Sequence, residues 1–268
     1  MKGGYTRLFD DQASGDKVSE YADAHSTPLP AHITAYHAHA SASRHDSEML
    51  SSNFQSKLHL FLARSIGAKR VLEVGVYVGY SAMLWAHATG PDGLVTGLEY
   101  SPELAEIAQD ALAKEGINNV EIIVGNAAET CVIPSPHPLE RVGAENEKLT
   151  CAPTSLPKVS PSTPYDIIFL DADKPGYSNY LSIILANSQP GSKNRLLRPG
   201  GLIIADNVLR RGHVADSSKT DREVEDAGLW NLHIEAVRKF NDQVVGEKRL
   251  ESFLTPLWDG LSMIRLVD

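Results

Sequence analysis

From Val71 onward, short apolar runs rich in β-branched residues alternate with segments of helical periodicity, the pattern of successive βαβ units around a mainly parallel sheet. The runs predict strands near Arg70 to Val74, Leu94 to Glu99, Val120 to Val124, Tyr165 to Leu170 and Gly201 to Ala205. A first helix is expected from near Ser81. A second opens at "YSPEL", where Ser101 is placed to accept from the first turn and Pro102 takes the first helical position, and it should stop before Gly116. Toward the end, a helix over about Leu229 to Asn241 leads into extended runs at 249–254 and 261–267, separated by a Pro and an Asp-Gly pair. These two runs most simply form an antiparallel pair that closes the sheet. The fold class is therefore α/β: a doubly wound, mainly parallel seven-stranded sheet with an antiparallel C-terminal strand pair.

Three segments break this rhythm. Residues 132–163 hold six prolines and several serines without apolar periodicity, too long for a plain connection and read as an inserted loop. Residues 188–198 look similar on a smaller scale. Both precede strands, so they belong to the rim opposite the strand C-termini, where open α/β sheets bind their ligands. Residues 1–45 read as a partly helical N-terminal arm, with the main domain over 46–268. The arm holds five of the ten histidines, but His37 and His39 lack a Cys or carboxylate partner at helical spacing and point to an exposed surface more than to a metal site.

Composition narrows the function. The formal charge of −9 leaves no basic cluster for a nucleic acid, so that partner is excluded. No window approaches the ~18 apolar residues of a membrane span, and the N-terminus lacks the apolar core of a signal peptide. A soluble cytoplasmic protein is expected. The two cysteines, Cys131 and Cys151, suit free thiols in a reducing compartment, with one loop disulfide as the alternative.

The first strand runs into "VLEVGVYVGYS", which sets Gly75 and Gly79 in the turn before a helix. Tyr77 stands where a dinucleotide fingerprint needs its second glycine, so a pyrophosphate cradle, and an oxidoreductase built on one, is disfavoured. A ligand without phosphate, such as S-adenosylmethionine, needs backbone room at Gly75, an acid near its ammonium and an acid for its ribose hydroxyls. Glu73 and Glu99 fit those needs; either alone reads better as a solvated strand end, but together with the glycine turn they favour the cofactor.

The stretch "EVGVYVGYS" closely resembles the first motif of the cation-dependent class I O-methyltransferases, the family of caffeoyl-CoA and catechol O-methyltransferases. The resemblance extends through "EYADAHSTP", Met49, Gln55, "FLDADK", "LRPGG", "ADN" and "WDG", and covers roughly residues 20–268 apart from the two insertions. It implies a Rossmann-like methyltransferase fold and S-adenosylmethionine as methyl donor. Glu73, Gly75 and Ser81 would hold the methionine moiety, Glu99 the ribose, and the "GNA" stretch ending at Ala127 would lie beside the adenine. Met49 and Asp171 complete the implied cofactor set. The family is commonly homodimeric, which implies a like partner.

Asp171 closes one strand and "IIADN" places Asp206 and Asn207 at the end of the next, so two carboxylates and an amide oxygen converge at neighbouring strand ends. Such a set suits a hard divalent cation, Mg²⁺ first, with Mn²⁺ or Ca²⁺ as alternatives, and not zinc; the alternative is a pair of loop caps. The family resemblance implies the same three ligands. A vicinal diphenol can chelate such a cation, which acidifies the attacking hydroxyl. Lys174 then becomes the candidate base, the role that the resemblance implies for it, against the ordinary fate of a surface lysine. Asp173 is left as supporting or structural, and Tyr177 and Tyr180 as residues that pack the helix in preference to lining a substrate wall.

The expected acceptor is a small phenolic molecule. CoA esters are disfavoured because Arg210 and Arg211 replace the aromatic residue that follows the metal-binding Asn in the plant enzymes. Arg210, Arg211 and His213 face either an acidic or polar-substituted phenol or solvent. Two other readings stay open: a cofactor-binding protein without turnover, and a methyltransferase for another oxygen nucleophile.

Overall fold

Strand β4 (Tyr165–Leu170) shows how the molecule is built, because its side chains alternate between two apolar layers. Ile167 and Phe169 join a cluster with Ala63, Trp85 and Ala86 on one face of the sheet. Ile168 and Leu170 join Tyr177, Leu181, Val237 and Phe240 on the other. A strand buried on both faces must sit in the middle of a sheet covered by helices on both sides.

The computed structural model describes residues 11–127, 163–216 and 227–268. Its sheet has the order β3-β2-β1-β4-β5-β7-β6, with β1 (Arg70–Val74), β2 (Leu94–Glu99), β3 (Val120–Val124), β5 (Leu197–Asp206), β6 (Leu250–Thr255) and β7 (Leu261–Leu266) beside β4. Pairings among β1 to β5 are parallel, and β7 runs antiparallel to both β5 and β6. This is the doubly wound mixed sheet expected from the sequence.

Helices α3 (Asn53–Ser65) and α4 (Tyr80–Thr89) contribute to the first layer, which α5 (Pro102–Lys114) extends through Ala108 against Ala82 of α4. Helices α6 (Tyr177–Ala186) and α7 (Ala227–Gly246) form the second layer. Ser101 caps α5 as anticipated, its hydroxyl accepting from the Leu104 amide.

Three boundaries move. Strand β5 begins at Leu197, four residues early, so the end of the expected loop 188–198 is strand: Leu197 pairs with Tyr165 across a register irregularity before regular pairing resumes at Leu202. Helix α7 runs to Gly246, because Val244 continues the buried stripe of Val237 and Phe240. Helix α4 starts at Tyr80, with Gly79 in the left-handed region before it.

The N-terminal segment forms α1 (Gln12–Ala24) and α2 (Ala31–Ser43). Helix α2 is tied to the domain: Ile33 is fully buried beside Tyr80, Met83 and Leu84, and His37 packs edge-on against Tyr80 at 4.8 Å. Residues 132–162 of the expected insertion, with Cys131 and Cys151, lie outside the described residues. Among the described residues no helix is long and apolar enough to cross a membrane.

Candidate functional site

All five parallel strands end on one rim, and the segments that leave them surround a cavity of about 1360 Å³. Its wall includes Gly75, Tyr77 and Ser81 after β1, Glu99 at the end of β2, Gly125 to Ala127 after β3, Asp171 and Lys174 after β4, and Asp206 and Asn207 at β5. Met49 joins them from the segment before α3. Of the residues singled out from the sequence as site residues, Glu73 alone is absent from this wall.

The glycine turn is shaped by close approach. A Cβ on Gly75, whose φ is +91°, would fall 2.1 Å from the Asp171 carbonyl oxygen, so only glycine lets β1 and β4 release their chains this close together. Gly79, at φ +90°, is pressed likewise against Ala108. Tyr77 also has positive φ, 53°, and its amide donates to Glu99 Oε2 at 2.8 Å. The amides of Val76 and Ser101 donate to the same carboxylate at 3.1 and 2.9 Å. Three backbone donors thus orient Glu99; two of them fill Oε2, and Oε1, which takes only the Ser101 amide, retains capacity to accept from a ligand hydroxyl.

Glu73 lies beneath this turn, fully buried. Neither of its oxygens has a partner of good hydrogen-bond geometry. Burial pushes its pKa up to about 8, the neighbouring Ser81 hydroxyl offsetting only part of that effect. Without a partner, such a buried carboxyl is held in its neutral form, and a neighbouring positive charge would favour its ionisation.

Asp171, immediately after β4, and Asp206, the last residue of β5, lie at neighbouring strand ends on the same wall. Asp206 is buried; its Oδ1 accepts from the Asn207 amide at 2.7 Å and its Oδ2 from Gln55 Nε2 at 2.8 Å. Burial first, and then the charge of Asp171, push the Asp206 pKa up to about 7, against the pull of Gln55 and Lys174. Asn207 takes a left-handed φ of 55° at the strand end, a conformation that asparagine tolerates better than most residues. Lys174 is buried as well, with Nζ 3.2 Å from Asp171 Oδ1 and 2.7 Å from the Tyr177 hydroxyl. Two carboxylates with raised mutual repulsion, joined by an amide, form a hard oxygen donor set that a divalent cation would neutralise. Among the described residues no cluster of three or more His, Cys, Asp and Glu could hold a metal; the set here relies on the Asn207 amide as its third donor.

Several residues of the site carried no readable signal in the sequence. Gln55 was visible only as part of a resemblance, and its bond to Asp206 spans 151 positions. Tyr177 packs in the core but also places its hydroxyl 2.9 Å from the Leu170 carbonyl and 3.1 Å from that of Asp206, bracing Lys174 between the two strand ends. Arg44 and Asp46 form an ion pair at 2.8 Å, and both bond the Tyr77 hydroxyl, at 2.6 Å each. Asp173 is structural: it accepts from the Gly176 amide at 2.9 Å and the Tyr180 hydroxyl at 2.5 Å. Arg210, Arg211, Trp230 and His233 line the outer part of the cavity, whereas His213 is buried with its ring against Trp230.

Known proteins share this fold. A family model described as O-methyltransferase matches residues 25–132 and 150–267. An O-methyltransferase of Aspergillus thermomutatus is 29% identical over 93% of this chain and 92% of its own length. A catechol O-methyltransferase of Niastella koreensis is 34% identical over 68% of each chain. Among solved structures, a methyltransferase of Podospora anserina bound to SAH superposes with a TM-score of 0.78 at 27% identity, covering 99% of this chain and 100% of the other. The O-methyltransferase TomG of Streptomyces achromogenes, involved in tomaymycin synthesis and solved with SAM, has a TM-score of 0.67 at 26% identity, with 97% and 100% covered. With the family model spanning most of its length and the sheet order, glycine turn and acidic strand ends on one cavity, the chain belongs to the O-methyltransferase family.

Proposed function

We propose that this protein transfers the methyl group of S-adenosylmethionine to one hydroxyl of a vicinal diphenol, aided by a divalent cation, Mg²⁺ most readily. The observation that carries this reading is the pairing of partly exposed Asp171 with buried Asp206 at adjacent strand ends, with buried Lys174 against Asp171, on a cavity shared with the glycine turn. The relatives solved with SAH or SAM support the donor, and the catechol O-methyltransferase from Niastella koreensis supports the acceptor class.

In this reading Glu99 accepts from the ribose hydroxyls of the donor, Gly125 to Ala127 flank its adenine, and Met49, Gly75 and Ser81 bound its methionine end. Glu73 acts from beneath the wall, its carboxylate balancing the donor's ammonium. Asp171, Asp206 and Asn207 would hold the cation. Bound there, the cation supplies positive charge that makes a neighbouring phenolic hydroxyl more acidic. As the neutral amine, Lys174 would take the hydroxyl proton on Nζ, the atom positioned beside Asp171 and Tyr177. Gln55 fixes the Asp206 carboxylate so that its orientation is set before anything binds.

The reading predicts selectivity for two adjacent hydroxyls. With Mg²⁺ and S-adenosylmethionine, 4-methylcatechol should be methylated on the order of 100-fold faster than 4-methylphenol, because a single hydroxyl loses the orientation that a chelating pair provides. Equal rates on the two phenols would sink the diphenol assignment.

A further inference from the structure

The outer part of the cavity carries a cation that the methyl-transfer chemistry does not use. After Asn207 the chain turns so that Arg210 and Arg211 both take positive φ, 46° and 52°, a region disfavoured for side chains other than glycine. The turn is held from outside. The amides of Val208 and Leu209 donate to the carbonyls of Gly260 and Asp259 at 3.1 and 2.9 Å, and the Arg211 amide donates to the Asp259 carboxylate. Such over-determination keeps a strained conformation in place, here one that sets Arg210 in the cavity wall.

The Arg210 guanidinium lies 4.3 Å from the ring centroid of Trp230, which lines the same wall. Its electrostatic pairing is incomplete. Among the described residues its ion-pair partner is Asp259, at 4.0 Å, and its Nε is buried without a hydrogen-bond partner. Burial pulls its pKa below the ordinary guanidinium value, while Asp259 pulls the other way. The acids that act on it are already engaged: Asp259 by the Arg211 amide, Asp171 by Lys174. A half-buried guanidinium, stacked on an indole and short of acceptors, is a receptor for a planar anion. Arg210 shares the cavity wall with Asp171 and Lys174, and the Asp171 charge acts on its guanidinium, which places it near the proposed reaction centre and not at the far end of a long acyl carrier.

We propose that Arg210, backed by Trp230, selects the acceptor: a vicinal diphenol whose ring bears a carboxylate, received by the guanidinium while the hydroxyls face Asp171 and Asp206. The proposal rests on the diphenol reading above, but anion recognition is measurable apart from it.

The test compares two probes of the same shape, 3,4-dihydroxybenzoate and 3,4-dihydroxybenzamide, on wild type, Arg210→Leu and Arg210→Lys, with Mg²⁺ and S-adenosylmethionine. Wild type should favour the benzoate by roughly 10-fold or more in kcat/KM, chiefly through KM, as a charge-assisted contact implies. Arg210→Leu should bring the ratio near one, and Arg210→Lys should restore part of it; circular dichroism and melting confirm that each variant is folded. Quenching of tryptophan fluorescence by the two probes, in protein loaded with the demethylated donor product, gives the same comparison without turnover. Tighter benzoate binding that Arg210→Leu erases, with neither probe methylated, would uphold the anion site while removing the diphenol reading. Methylation of both probes at equal efficiency, absence of binding by either, or a preference that survives Arg210→Leu would overturn the proposal. So would an Arg210-dependent preference for caffeoyl-CoA over free caffeate, which would assign the guanidinium to thioester phosphates.

Discussion

Two buried ionisable residues make opposite contributions to the pH dependence of stability. Glu73 carries a pKa of about 8 in the fold against 4.5 when exposed. The cofactor-free fold therefore holds its proton more tightly than the unfolded chain does, and this stabilisation fades as pH rises from about 4.5 through 8. Glu73→Gln should flatten that alkaline limb, by a few kcal/mol at most, in denaturation curves run from pH 5 to 9; an unchanged slope would mean that Glu73 finds solvent or a partner in solution. His59 is the reverse case. It is fully buried between Trp85 and Phe169, with ring centroids at 5.1 and 5.0 Å, neither ring nitrogen is partnered, and burial lowers its pKa to about 3. The unfolded chain binds the proton first, so stability falls as pH drops from about 6.5 toward 3. His59→Phe should remove that acid loss and add roughly 1 to 2 kcal/mol at pH 7 by deleting unsatisfied polar atoms, measured by urea unfolding at pH 7 and pH 5. A variant less stable than wild type at both would show that the imidazole has a partner.

At the scale of elements, the strands β1 to β4 were legible in the sequence because each is a short apolar run bounded by clear turn residues. The boundaries that moved are those where tertiary packing decides: β5 extends upstream because Leu197 finds Tyr165 across the sheet, and α7 continues while its buried stripe lasts. The site was legible in the same uneven way. Residues at strand ends, such as Asp171, Asp206 and Glu99, declare themselves through the topology. The strap before α3 does not, because Arg44 and Asp46 meet Tyr77 only after α2 has packed on α4. That strap carries Met49 over the cavity, and Asp46 is held well below the usual carboxylate range by Arg44 and Tyr77. Since the Tyr77 amide also bonds Glu99, the ion pair ties the strap to the acid proposed for the ribose. Asp46→Ala should weaken S-adenosylmethionine binding by roughly 5-fold with little change in melting temperature, as read by calorimetric titration. Unchanged affinity would make the strap a passive cover.

For the whole molecule, the parallel half of the sheet brings five strand ends to one rim, and the antiparallel β7 holds the last of them through its pairing with β5 up to Asp206 and Leu261. The same β6–β7 connection supplies Trp258 and Asp259 to the cavity wall, so the C-terminal hairpin both closes the sheet and buttresses the turn that carries Arg210. The fold thereby brings the residues proposed for the donor, the cation and the acceptor to one cavity, and the proposed cation site is what separates a metal-assisted transferase from a simple cofactor binder. It is tested most directly by the initial rate of methyl transfer to 4-methylcatechol as a function of free Mg²⁺, in wild type and in Asp206→Ala. The account predicts a saturable curve that passes through zero in chelator, and a loss on the order of 100-fold or more in the variant at every Mg²⁺ concentration. A rate that persists in chelator, or an Asp206→Ala curve that overlays wild type, would contradict it.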